Sequence, residues 1–168
     1  MKYFRYDLFI AQNTDNVPEE ERQEVDRQWQ HNREAYSAIL KTLSSRLPVD
    51  VYAHFNSWGF HDYRLTKMDI EHRSLHDMSV HFTLSSDIDN EENEELWCLC
   101  FDKVSYIQYQ HLNYDNDQCV MHPEIDDWLY EEIMPVNESM LSFEVLFSSG
   151  GNVVLHFPDQ SVSIKRVK

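Results

Sequence analysis

The chain has 168 residues, of which 42% are hydrophobic and 13% aromatic. That is the size of one domain with material for a sizeable core, and it argues against intrinsic disorder. A formal net charge of −16 argues against a nucleic-acid partner, because such proteins neutralise phosphates with cations. No apolar run approaches the roughly 20 residues of a membrane span. The opening Met1-Lys2-Tyr3-Phe4-Arg5-Tyr6-Asp7 has no signal-like stretch, so a cytoplasmic protein without a membrane partner is expected.

Residues 1–15 begin with aromatic and apolar positions, read as a short strand or a helical turn. Asn16-Val17-Pro18-Glu19-Glu20-Glu21 looks like a helix start, with acids that complement the helix dipole. Val25, Trp29, Asn32, Tyr36, Ile39, Leu40, Leu43 and Leu47 then recur at three- and four-residue steps. They predict one face of a long amphipathic helix, about 18–46, ended by Pro48. Val49 to Trp58 reads as a second, short helix closed by Gly59. Trp29, Tyr36, Phe55 and Trp58 fall at core spacing on these helices.

After Gly59 the period becomes alternating. Leu65 to His72 is strand-like, and Met78, Val80, Phe82 and Leu84 share one face of the next strand. The acidic run 85–95 is expected as a hairpin loop. Leu96 to Asn113 reads as one long strand with a break or bulge near Asp102-Lys103. Pro123 to Ile133 suits a short helix with acids on its outer side. Met140 to Phe147, Val153 to Phe157 and Ser161 to Val167 read as a series of strands joined by hairpins, turning at Ser148 to Asn152 and at Pro158 to Gln160. The expected class is α+β in a single domain, 1–168. The N-terminal helices, within 1–58, should pack on one face of an antiparallel sheet of about five or six strands, within 60–168. With three glycines there is no glycine-rich phosphate loop and no dinucleotide fingerprint, and no cofactor is expected.

Charge is unevenly placed. Residues 85–168 hold 17 acids and 4 bases, and Val104 to Ile164 contains no Lys or Arg. One cluster is Asp87, Asp89, Glu91, Glu92, Glu94 and Glu95. A second is Asp115, Asp117, Glu124, Asp126, Asp127, Glu131 and Glu132. Such a surface either keeps the protein solvated or attracts a basic partner. Trp97, Tyr106, Tyr109, Tyr114, Trp128 and Tyr130 lie among or near these acids, and aromatics beside carboxylates are ingredients of protein-binding sites.

The three cysteines are Cys98, Cys100 and Cys119. An odd, small number reads as free thiols. Cys98 and Cys100 should point to one face of a strand, where buried core thiols are expected; a zinc half-site would need two more ligands. Of the nine histidines, His54, His61, His72, His76 and His81 fall between 54 and 81. The pairs His61-Asp62 and His76-Asp77 could ligate a metal or serve a metal-dependent hydrolase. On an extended strand the members of a pair face opposite sides, so they converge only through a turn. Structural hydrogen bonds to backbone at a helix exit or turn are the plainer expectation. There is no nucleophile motif such as G-x-S-x-G or S-x-x-K.

Several segments resemble those of an uncharacterised family of small bacterial proteins. They are Met1-Lys2-Tyr3-Phe4; Leu47-Pro48 followed by Phe60-His61-Asp62; Leu96 to Phe101 followed by Val104; and Asp127-Trp128-Leu129-Tyr130-Glu131-Glu132-Ile133 ahead of two terminal hairpin strands. Proteins of this look include immunity-like proteins encoded near secreted toxins. The resemblance implies a bacterial, cytosolic, non-enzymatic protein and assigns no role to any residue. The expected function is an acidic module that binds a basic protein through Asp87, Asp89, Glu91, Glu92, Glu94, Glu95, Asp126, Asp127, Trp128, Glu131 and Glu132. The alternative is a metal-binding protein or metal-dependent hydrolase using His61, Asp62, His76 and Asp77.

Overall fold

The computed structural model describes residues 1–14, 18–86, 94–111 and 126–168. Three helices come first: α1 (Tyr6–Asn13), α2 (Glu19–Thr42) and α3 (Val49–Phe55). Pro18 and Pro48 stand at the caps of α2 and α3 with φ of −54° each. Proline suits that position because its φ is preset and it has no N–H left to satisfy. The buried residues of α2 are Asn32, Tyr36 and Leu40, members of the stripe that the sequence spacing picks out. No helix among the described residues is long and apolar enough to cross a membrane.

Eight strands follow: β1 (Arg64–Ser74), β2 (Asp77–Ser85), β3 (Leu96–Phe101), β4 (Tyr106–Gln110), β5 (Trp128–Pro135), β6 (Met140–Phe147), β7 (Asn152–Pro158) and β8 (Val162–Arg166). The α+β class holds, but the strands form two four-stranded sheets rather than one. Their orders are β1-β2-β3-β8 and β4-β7-β6-β5, with antiparallel pairing throughout. Phe82, Leu99 and Phe101 of the first sheet meet Trp128, Phe143 and Phe157 of the second in one core, with Phe101 centred 4.7 Å from Phe143 and 4.9 Å from Phe157. Each such fully buried side chain contributes about 1.5–3 kcal/mol.

The chain does break at Asp102-Lys103 and at Pro158 to Gln160, but each break is a change of sheet, where the sequence suggests a bulge in one strand and a hairpin. At Asp102-Lys103 the chain leaves the first sheet for the second. Val104 N–H bonds Met78 O of β2, and the next amide, Ser105 N–H, bonds His156 O of β7, at 2.8 and 2.9 Å. At Asp159 to Ser161 it crosses back, so β8 pairs with β3 and not with its chain neighbour β7. Both crossings turn on a non-glycine residue at positive φ, Lys103 at 54° and Gln160 at 60°. They lie side by side, joined by Asp102 N–H to Ser161 O at 2.8 Å.

The segment expected as a helix from Pro123 to Ile133 also differs. The expected short helix is strand β5, while 123–125 lie outside the described residues. A bulge between Trp128 and Tyr130 lets Trp128 and Leu129 both be buried. Cover on the other side then buries Glu132 as well as the core-facing Ile133. A strand with an inserted residue and two covered faces imitates a helical period.

Candidate functional site

Strand β5 is the edge of its sheet, and an edge strand exposes unpaired backbone groups. Here α2 and the turn that follows α3 cover part of that edge. Ile133 N–H donates to Tyr36 Oη of α2 at 2.9 Å, and Leu129 O meets His61 Nδ1 at 2.5 Å. Between α2, α3 and β5 this cover leaves a cleft of about 820 Å³.

Its walls are aromatic. The Trp29 and Tyr130 rings lie 4.7 Å apart, and His61 stacks on Tyr130 at 5.0 Å and on Trp58 at 6.4 Å. Trp58, expected at core spacing, is 79% exposed, because α3 stops at Phe55 and the chain turns before the indole can reach the core. The rim carries both signs, with Arg33, Glu34 and Lys41 from α2.

Glu131 also lines the cleft. Its register partner is Val145, so it sits on the side of β5 that faces the core. Trp128 Nε1–H donates to its carboxylate at 2.5 Å, and the Phe60 backbone N–H also donates. Burial outweighs these bonds and pushes the carboxyl from an ordinary 4.5 up to about 7. Gly59, at φ +58°, leaves room for it; a Cβ there would overlap Glu131 Oε1. Burial and the nearby Asp62 charge push the Tyr130 hydroxyl up to about 12. A carboxyl poised near neutrality can bind a cation or exchange a proton.

The other described residues expected in a partner surface have partners within the chain. Glu132, 1% exposed, accepts the backbone N–H groups of Lys2, Tyr3 and Phe4 at 2.9, 2.7 and 2.8 Å. Asp127 is buried, with Arg64 Nε at 3.4 Å. Asp126 accepts Ser149 N–H at 3.0 Å and Ser148 Oγ–H at 3.1 Å, holding the β6–β7 turn. Trp128 is a wholly buried core residue. Glu94 pairs with Lys168 at 2.9 Å and Glu95 with Arg166 at 3.0 Å. Asp87, Asp89, Glu91 and Glu92 lie outside the described residues, as do Asp115, Asp117, Glu124 and Cys119.

The two His-Asp pairs are at opposite ends of β1, which spans roughly 30 Å from its residue count and strand rise. His61 and Asp62 occupy a turn with Asp62 at φ +66°, so their side chains do approach, to 3.7 Å. His76 lies in the β1–β2 turn, and Asp77 faces Arg73 at 3.6 Å. Among the described residues, the metal-capable group that converges is a different one: His81, Cys98 and Cys100. The thiols do share one strand face, but that face is the outer one and they are only half-buried; Leu99 and Phe101 face the core instead.

No protein-family model, no curated protein and no solved structure matches the chain.

Proposed function

We propose that the protein is a non-enzymatic acidic module of the bacterial cytoplasm that binds a basic protein, an immunity-like role. The cleft between α2, α3 and β5 receives a basic side chain of that partner. The observation that carries this is the combination of aromatic walls with the Glu131 carboxyl. Aromatic faces attract ammonium and guanidinium groups, and a carboxylate completes the charge pairing. An aromatic centre inside a polar rim of both signs is the anatomy of a protein docking site. Net charge draws the partner in: the −16 of the whole chain favours capture of a cationic protein.

The test is capture from the native host at low salt, elution by rising salt, and identification of what leaves. A single basic protein released steeply by salt is expected from the wild type. Trp58→Ala should lose it while changing stability by no more than about 0.5 kcal/mol, since Trp58 is on the surface. Cation binding favours ionised Glu131, so affinity for the captured protein should rise between about pH 6 and about pH 8, and Glu131→Gln should flatten that rise. An empty eluate, or capture indifferent to Trp58→Ala, would refute the proposal.

A further inference from the structure

Strands β2 and β3 place two soft thiols and an imidazole on the outer face of the first sheet. Register sets His81 opposite Cys100, and the two-residue period sets Cys98 beside Cys100. The two Sγ atoms are 3.3 Å apart, Cys100 Sγ is 3.6 Å from His81 Nδ1, and all three ligand atoms fall within 4.8 Å of one another. We propose that His81, Cys98 and Cys100 bind a thiophilic d10 cation, Zn²⁺ or Cu⁺, at a site separate from the cleft.

The distances fit. Tetrahedral zinc with ordinary bond lengths spaces two sulfurs by about 3.8 Å and a sulfur and an imidazole nitrogen by about 3.6 Å. The Cys100–His81 distance already agrees, Cys98 lies within 4.8 Å of the histidine, and the sulfurs need to open by only about half an ångström, within reach of small χ1 rotations. A disulfide fits less well, because two positions along a strand put the Cα atoms roughly 6.6 Å apart, near the upper limit for a disulfide.

A second feature orients the histidine. The far ring nitrogen, Nε2, meets the hydroxyl of Ser79 at 3.0 Å, and Ser79 is itself wholly buried. Nε2–H donating there leaves the Nδ1 lone pair turned toward the sulfurs, which is how protein metal sites hold a ligating imidazole. The ligands are half-buried on the face of the sheet turned away from the core, and β1, the edge strand beside β2, is mostly exposed. A bound cation would therefore keep a fourth position open toward solvent or toward Asp102, whose charge acts on Cys100. The ligands come from two antiparallel strands held in register by their own ladder, so no folding step is needed to assemble them.

The test uses the full-length reduced protein under anaerobic conditions, with Co²⁺ as a spectroscopic substitute for zinc and Cu⁺ supplied from a competing chelator. One cobalt per chain is expected, with a thiolate-to-cobalt charge-transfer band and displacement by zinc. Uptake of Cu⁺ alone at the same residues supports the site and assigns copper to it. Cys98→Ser, Cys100→Ser and His81→Gln should each abolish stoichiometric binding, Ser79→Ala should weaken it about 10- to 100-fold, and Cys119→Ser should leave it intact. Circular dichroism and the apo melting temperature confirm that each variant is folded, as expected for changes on an outer face. Should one thiol variant not fold, His81→Gln and Ser79→Ala carry the test. A reduced wild type that binds neither metal, or binding that survives in a Cys98→Ser/Cys100→Ser variant, overturns the proposal.

Discussion

Glu131 and Glu132 are neighbours on one strand, and the two sides of β5 treat them oppositely. Glu132 faces away from the core, under the N-terminal segment, where three backbone N–H groups converge on its carboxylate. Glu131 faces the core side at the margin of the cleft, where Trp128 Nε1–H and Phe60 N–H donate to it and apolar surroundings dominate. The same side chain is a structural clamp in one setting and a titrating group in the other. What differs is how many donors the fold aims at the charge against how much water it removes.

The largest effect should come from removing the clamp. Glu132→Ala leaves three backbone donors without their acceptor under the first turn of chain, and should lower stability by about 4 kcal/mol in urea denaturation. A loss below about 1 kcal/mol would show that the N-terminal segment is held by its aromatic contacts, Phe4 on Tyr130 and Trp29, rather than by Glu132.

The Glu131 side answers to pH. Its folded pKa lies near 7 against an ordinary 4.5, so between those values the folded state keeps a proton that the unfolded state has lost. Stability from this group is therefore present below about pH 4.5, falls as pH rises, and is gone above about pH 7, a difference of up to about 3 kcal/mol. Glu131→Gln stays neutral and can still accept from Trp128, so it should be the more stable protein at about pH 8 and nearly equal to wild type at about pH 5. Equal gaps in denaturant midpoint at both pH values would mean that the carboxyl is not shifted.

Gly59→Ala sharpens the contrast with a smaller effect. The left-handed backbone and the overlap with Glu131 Oε1 should together cost about 1–2 kcal/mol. The displaced carboxyl should titrate closer to an ordinary glutamate, which an NMR titration would register. A Glu131 titration unchanged in this variant would show that Gly59 does not shape the site.

Much of the architecture was legible in the residues. The stripe of α2, the alternation of Val80, Phe82 and Leu84, and the turn at Ser148 to Asn152 are local patterns, and local backbone periodicity produces them whatever surrounds the segment. β5 departs from the expected helix because its burial reflects the bulge and the cover on two sides, which no local period encodes. The site was less legible still. Glu131 stood out only as one acid among many, and Trp58 matched the spacing of core aromatics although the chain turns it outward.

The identity of each strand face and the excess of acid are written in the order of the residues, because alternation and charge need only the chain itself. Partners across space are not. Lys103 and Gln160 take left-handed turns that send consecutive strands to different sheets. Pairing between β2 and β3 brings His81 to Cys100 from a position 19 residues away in the chain. The N-terminal segment turns Glu132 into a clamp across a separation of about 130 residues. Charge and chemistry of these groups belong to the sequence; whether each is satisfied, shifted or available was decided by what the tertiary fold packs against it, since desolvation and donor geometry are properties of the assembled environment.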